Sequence, residues 1–319
     1  MPSEFTLIDR HFKRPTRHTV LGVGDDGAIV RPTPGTELVV STDMLVAGTH
    51  FLPNTDPTDL GWKVLAVNVS DLAAMGATPR WALLAAALPA ATESWLAAFA
   101  AGFFACAEAF GIDVIGGDTT KGPRNFCVTI FGEVPAGQAL LRSGAQPGDE
   151  VWVSGRPGLA ALGLAHLQGR CVLPEEAAAP CLAALTRPQP RVALGVALRG
   201  LASAAIDVSD GLLADLGHIL EQSQLAATLV FARLPDAALS CGADAELARD
   251  CLLAGGDDYE LVFTAPTQRH AEIVALADAL RLALTCIGST EAGEPGSLRL
   301  LDAAGQPLPL GQRGYDHFG

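Results

Sequence analysis

Apolar positions along the chain switch between two periods. Runs at 37–43 (ELVVSTD), 81–89 (WALLAAALP), 112–118 (IDVIGGD) and 126–134 (FCVTIFGEV) predict strands, while 58–76 and 92–111 carry apolar residues at helical spacing. Thr58 or Asp59 is the expected cap of the first helix, which stops at Gly76 before Pro79; Thr92 is the expected cap of the second, which Gly111 ends. Glycine and proline then cluster in PAGQALLRSGAQPGDE, and a fresh strand follows at 151–155. That break predicts a boundary at 138–148, hence one domain over 1–140 and another over 148–319. The second half continues with helix 159–169, a loop containing EEAAAP (175–180), helix 190–202, strand 205–210, helix 211–225, strands 227–234 and 259–266, and helix 268–280. Strands and helices interleaved in this way predict an α/β (α+β) fold.

With 319 residues, 49% hydrophobic and 18% charged, the chain can build two cores. No apolar run free of Gly, Pro and charge reaches the roughly 18–20 residues of a membrane span, and the first residues lack a secretory apolar core, so a cytoplasmic protein without a membrane partner is expected. The seven cysteines (Cys106, Cys127, Cys171, Cys181, Cys241, Cys251, Cys286) are odd in number and never in C-x-x-C, which predicts reduced thiols. A net charge of −14 argues against nucleic acid or an anionic membrane as partner. Lysine occurs only at 13, 63 and 121, so a phosphorylated ligand has to be met by arginine, backbone N–H groups or metal ions.

The stretch GVGDDGA (22–28) fits the dinucleotide pattern G-x-G-x-x-G. No helical pattern follows Gly27, however, and two adjacent carboxylates would face the phosphates unless a cation intervened. Aspartates recur where apolar runs end: Asp25, Asp26, Asp43, Asp118, Asp207, Asp210, Asp257 and Asp258, with Asp71 inside the first helix. Ligands of open α/β sheets gather at such strand ends. Oxygen-rich clusters without His or Cys suit magnesium, which would let an acidic protein bind ATP and transfer a phosphoryl group. The lysine-bearing loop G-x-x-x-x-G-K-[ST] is absent, which leaves Arg142 as the candidate fixed cation.

Eight motifs in order, GVGDDGAIV, VSTDMLVAGTHF, GWKVLAVNVSDLAAMGATPRWALLAAALP, IGGDTTKGP, LLRSGAQPGDEVWVSG, AIDVSDGLLADLGHI, GGDDYELVFT and GYDHF, resemble the thiamine-monophosphate kinase family. The resemblance implies two α/β domains, with the N-terminal mixed sheet pairing in a homodimer β-barrel and a C-terminal sheet flanked by helices. It implies ATP as co-substrate, several Mg2+ ions and thiamine monophosphate as acceptor. By position it implies Asp26, Ser41, Thr42 (through its backbone), Asp43, Asp71, Asp118, Asp207 and Asp210 as metal ligands. Asp43, Asp71, Asp118 and Asp210 would be the catalytic carboxylates, and Gly117, Asp118, Arg142 and Ser209 would contact ATP.

For the acceptor the resemblance implies His50, Asp257 and the position of Gln312. Two of these depart from the family pattern. Asp257 stands where the family usually has Glu, and Gln312 where it often has Trp, so ring stacking would pass to Tyr315 or Phe318 or be lost. Another ATP-dependent enzyme of the aminoimidazole ribonucleotide synthetase superfamily, and a protein that binds thiamine phosphates without catalysis, remain as alternatives.

Overall fold

The computed structural model describes residues 10–90, 92–311, 314 and 315. It divides into two compact units: residues up to Leu72 with Ala77–Gly137, and Ala73–Gly76 with the chain from Gln138 onward. Both mix strands and helices, as the interleaved pattern predicts.

In the first unit β1 (Thr19–Leu21) pairs with β2 (Ile29–Val30). A four-stranded sheet has the order β3-β6-β4-β5, built from β3 (Thr36–Val46), β4 (Thr78–Leu88), β5 (Asp113–Lys121) and β6 (Asn125–Pro135). Parallel β4 and β5 are joined through helix α2 (Glu93–Ala109), and β6 runs antiparallel to both β3 and β4. Aromatic rings tie α2 to the sheet: Phe99 stacks on Phe126 of β6 at 4.6 Å between centroids, and Trp95 stacks on Phe99 at 5.3 Å.

Helix α1 (Pro57–Ala74) crosses α2 with backbone almost on backbone. A Cβ at Gly61 would fall 2.1 Å from the Phe99 carbonyl oxygen, and one at Gly102 would fall 1.8 Å from that of Thr58.

One expected cap is corrected and the other holds its place. Asp56, not Thr58 or Asp59, caps α1: its Oδ1 accepts the N–H groups of Thr58 (2.8 Å) and Asp59 (3.2 Å). Pro57, which has no N–H to satisfy, takes the first helical position, so the cap lies immediately before it at Asp56, two residues upstream of Thr58. Thr92 does occupy the N-cap of α2, but its hydroxyl makes no capping bond.

The second unit holds a seven-stranded sheet in the order β13-β12-β9-β11-β7-β10-β8. Its strands are β7 (Glu150–Ser154), β8 (Ala204–Asp207), β9 (Ala226–Val230), β10 (Leu261–Ala265), β11 (Leu284–Glu291), β12 (Leu298–Leu301) and β13 (Pro307–Leu308). Only β9 and β12 pair in parallel. Alternate side chains enter two cores, one with Val151, Val153, Ile206 and Val262, the other with Trp152, Ala205, Leu261 and Phe263.

Helices α3 (Leu159–Leu167), α4 (Glu175–Thr186), α5 (Val192–Leu198), α6 (Leu212–Ser223), α7 (Ala245–Ala254) and α8 (His270–Leu280) accompany this sheet. The segment EEAAAP, expected as a loop, opens α4 with Pro180 inside the helix. Two glutamates in the first turn favour the helix dipole, and burial of Cys181 and Leu185 holds the following turns against the cost of the proline. Helix α7 and strands β11 to β13 were not anticipated; α7 starts at Asp244, whose side chain accepts from Glu246 and Leu247.

Candidate active site

Strand β3 presents two faces. Ser41 donates a 2.5 Å hydrogen bond to Asp71 Oδ2 on α1, so Ser41 and, two residues on, Asp43 share the face that looks at this helix. The Asp43 backbone N–H donates to Asn68 Oδ1 at 3.0 Å, one turn before Asp71, while Asn68 Nδ2 donates to the Val64 carbonyl at 3.1 Å. Ser41, Asp43 and Asp71 thus form one half-buried group of oxygen donors. Thr42 turns the other way: its hydroxyl donates to the Val128 carbonyl at 2.9 Å, so only its backbone remains for the ligand role its motif implies.

His50 lies in the turn after β3, where its Nδ1 accepts from the Val46 N–H at 3.1 Å. An accepting nitrogen carries no proton, which fixes the neutral ring as a donor through Nε2.

GVGDDGA leads into the short strand β2 and not into a helix, in agreement with rejection of the dinucleotide reading. Asp25 Oδ1 accepts the N–H of the adjacent Asp26 at 3.0 Å, which gives Asp25 a local bond within this loop. This loop borders a cavity of about 1060 Å³ inside the first unit, with Lys13, Asp25, Asp26 and Asp118 among its polar lining and Leu84 and Phe99 in its apolar wall. Gly117 also lines it. Its φ is +151°, and a Cβ there would fall 1.8 Å from the Leu84 carbonyl oxygen, so only glycine lets β5 lie against β4 as it delivers the exposed Asp118.

Buried Asp113 is a supporting residue that the sequence reading missed. Its carboxylate accepts from the backbone of Arg17 (2.8 and 2.9 Å) and His18 (2.6 Å) and from the Thr19 hydroxyl (2.7 Å), which fastens the strand that feeds GVGDDGA. An acid inside the apolar run GIDVI was its signal in the sequence. Glu133 on β6 does similar work for the segment that precedes β3, where it holds Thr33. Burial alone would raise its carboxyl, but hydrogen bonds from Thr33 and Arg80 outweigh that and hold it below its ordinary 4.5.

In the second unit Asp207 ends β8, buried, and Val208–Gly211 turn into α6. Asp215, also missed, gathers this turn. Its Oδ2 accepts the N–H groups of Ser209 (3.0 Å), Asp210 (3.1 Å) and Gly211 (3.1 Å), while burial and then the nearby Asp210 charge push its carboxyl up to about 7. Asp257 joins the same turn through its N–H, which donates to the Ser209 carbonyl at 2.9 Å, and the Tyr315 N–H donates to the Asp210 carbonyl at 3.0 Å. Asp207, Ser209, Asp210, Asp257 and the start of the tail therefore cluster.

The Arg142 backbone lies at the other end of α6: its carbonyl accepts from the Ser223 hydroxyl at the last residue of that helix, whereas the turn sits before the first. Gln312 and Phe318 lie outside the described residues. Among the described residues, no three His, Cys, Asp or Glu side chains stand close enough to hold one metal ion.

Residues 24–134 match the family of AIR synthase related protein, N-terminal domain, and residues 146–300 match its C-terminal domain. The thiamine-monophosphate kinase of Escherichia coli (strain K12) is 46% identical over 320 residues, covering 99% of this chain and 98% of that protein. This chain belongs to the thiamine-monophosphate kinase family. The crystal structure of the Stenotrophomonas maltophilia K279a thiamine-monophosphate kinase shares 45% identity with a TM-score of 0.85, over 96% of this chain and 98% of that one. AaThiL complexed with AMPPCP and TMP shares 30% identity with a TM-score of 0.76, over 99% and 97%. For a member of this family, the oxygen donors on β3 and α1 and the turn after β8 are the parts to interpret.

Proposed function

We propose that this protein transfers the γ-phosphoryl group of ATP to the phosphate of thiamine monophosphate, giving thiamine diphosphate and ADP, the final step of thiamine diphosphate biosynthesis. The observation that carries the reading is identity of 46% to a thiamine-monophosphate kinase along essentially the whole of both chains. AaThiL, which is similar over its full length, binds an ATP analogue together with TMP.

The acceptor phosphate is already an anion at neutral pH, so the chain need supply no general base and no side chain need be phosphorylated. What it supplies is position. Ser41, Asp43 and Asp71 form an oxygen-only set of the kind a hard cation takes, and magnesium uses one or two carboxylates and completes its shell with water and phosphate oxygens. Asp26, Asp118, the Thr42 backbone, Asp207 and Asp210 are the further oxygens that would hold Mg2+. When bound, the metal would neutralise the two anions and favour in-line transfer. In the first unit Gly117 would contact ATP and the Nε2–H of His50 the acceptor; in the second, Ser209 and Arg142 would contact ATP and Asp257 the acceptor.

A homodimer fits the same reading. Strand β3 is a sheet edge whose outward face leaves Leu38, Val40 and Met44 exposed at 42, 54 and 56%, an apolar stripe of the sort a second copy covers. No helix among the described residues is long and apolar enough to cross a membrane. A cytoplasmic site of action is part of the proposal.

The test is incubation of the purified protein with ATP, Mg2+ and thiamine monophosphate, with thiamine and aminoimidazole ribonucleotide precursors as parallel acceptors. Thiamine diphosphate should form from the monophosphate alone. Tight binding of thiamine monophosphate without any diphosphate would replace the kinase by a non-catalytic binder.

A further inference from the structure

The segment Gly255–Glu260 between α7 and β10 holds two non-glycine residues in the left-handed region, Asp257 at φ +66° and Tyr259 at φ +52°. Aspartate tolerates that conformation; a bulky tyrosine rarely adopts it unless its surroundings insist. Here the surroundings do insist. The Asp257 N–H donates to the Ser209 carbonyl (2.9 Å), the Tyr259 N–H to that of Val208 (2.8 Å), and the Val208 N–H returns a bond to the Glu260 carbonyl (2.8 Å).

Side chains on the inner side complete the grip. Asp258 accepts the Gly158 N–H at 2.7 Å, and Glu260 receives Arg191 through two bonds (2.6 and 2.5 Å) and the Ser154 hydroxyl (2.6 Å). Gly256 leaves no slack, since a Cβ there would meet the Ser209 carbonyl oxygen at 2.4 Å. With Asp258 and Glu260 so anchored, the two left-handed residues put Asp257 and Tyr259 within reach of each other, and the phenol donates to Asp257 Oδ1 at 3.0 Å.

We infer that Tyr259 is a positioning residue for acceptor binding: its hydroxyl aims the carboxylate of Asp257 at the thiamine monophosphate site. The inference rests on the reading of Asp257 as an acceptor contact. An aspartate reaches one methylene less far than a glutamate, so its direction matters more, and a fixed donor on Oδ1 sets the orientation in which the carboxylate meets the substrate's cationic thiazolium. Because Asp257 is also bonded to Ser209, the acceptor acid is set in register with the turn proposed to hold ATP.

The experiment is steady-state kinetics on Tyr259→Phe, Asp257→Ala and the double variant of the full chain. Tyr259→Phe should raise KM for thiamine monophosphate about three- to tenfold, the loss of one hydrogen bond to a carboxylate, with kcat and KM for ATP close to wild type. Placed on Asp257→Ala, it should add nothing further, because it acts through that carboxylate. An unchanged KM in Tyr259→Phe, or an effect of equal size in the Asp257→Ala background, overturns the positioning role while leaving the acceptor site intact. An Asp257→Ala variant with wild-type KM overturns both this role and the reading of Asp257 beneath it. The KM for ATP reports whether each variant is properly folded; if Tyr259→Phe disturbs it, Asp257→Asn, which keeps an oxygen for the phenol but no charge, must raise the acceptor KM, or the role fails.

Discussion

Replacing Asp215 by alanine removes the one oxygen that collects three consecutive N–H groups, those of Ser209, Asp210 and Gly211. Gly211 is buried and would lose its partner outright, a cost of about 2 kcal/mol, while half-buried Ser209 and Asp210 can recover part of theirs from water and lose about 1 kcal/mol each. The expected total is about 4 kcal/mol, a large share of the 5–15 kcal/mol that typically holds a domain together. Asparagine behaves differently. It keeps an oxygen where all three bonds converge, and it removes a carboxylate whose ionisation burial opposes, up to about 7. Asp215→Asn should therefore cost less than about 1 kcal/mol. Urea unfolding gives the energies, and hydrogen exchange across 207–216 shows whether the loss is local to the turn. Alanine and asparagine variants of equal stability would refute the reasoning, as would an alanine variant within about 1 kcal/mol of wild type.

Asp71→Asn should fold and nearly abolish turnover, whereas Ser41→Ala should lose far less; wild-type turnover of Asp71→Asn at limiting Mg2+ contradicts the metal-led mechanism. Gly117→Ala should be inactive or poorly folded, because its Cβ would overlap the Leu84 carbonyl; activity and melting temperature read this together. Glu133 is held below its ordinary 4.5, so its contribution to stability is present above that pH and lost as pH falls through the lower folded-state value. Glu133→Gln should thus be less stable at pH 7 and show a flatter decline in acid, as measured by denaturation at several pH values. Val40→Asp puts a charge in the middle of the exposed apolar stripe of β3 and should leave the protein monomeric in light scattering if the homodimer forms there.

The parts legible in the sequence are those where chemistry and periodicity coincide. Asp43, Asp118 and Asp207 lie on strands that those apolar runs predict, whereas Asp210, expected at the end of the strand over 205–210, falls in the turn after β8. The α/β character followed from the same alternation. Asp113, Glu133 and Asp215 escaped because their task is to hold backbone N–H groups from segments distant in sequence or in a turn not yet formed, and no local spacing encodes such a partner. Helix α4 escaped for the opposite reason. Its local signal, Pro180, argues against a helix, and only the burial of Cys181 and Leu185 overrides it. Strands β11 to β13 lie in a stretch rich in glycine and charge, and pairing with neighbours already in the sheet makes them strands.

The crossing of α1 and α2 has a bearing on how this protein could vary. At Gly61 and Gly102 even a methyl group would overlap a carbonyl of the opposite helix, so no spectrum of side chains can be graded there: a saturation library should recover glycine alone at both, beside alanines that accept exchange. Because α1 carries Asn68 and Asp71, the two glycines act as a dowel joint whose fit fixes how far those side chains stand from β3. Mutational intolerance would therefore be strongest at two positions that touch no substrate, and a survey that ranks residues by sensitivity alone would mistake carpentry for chemistry.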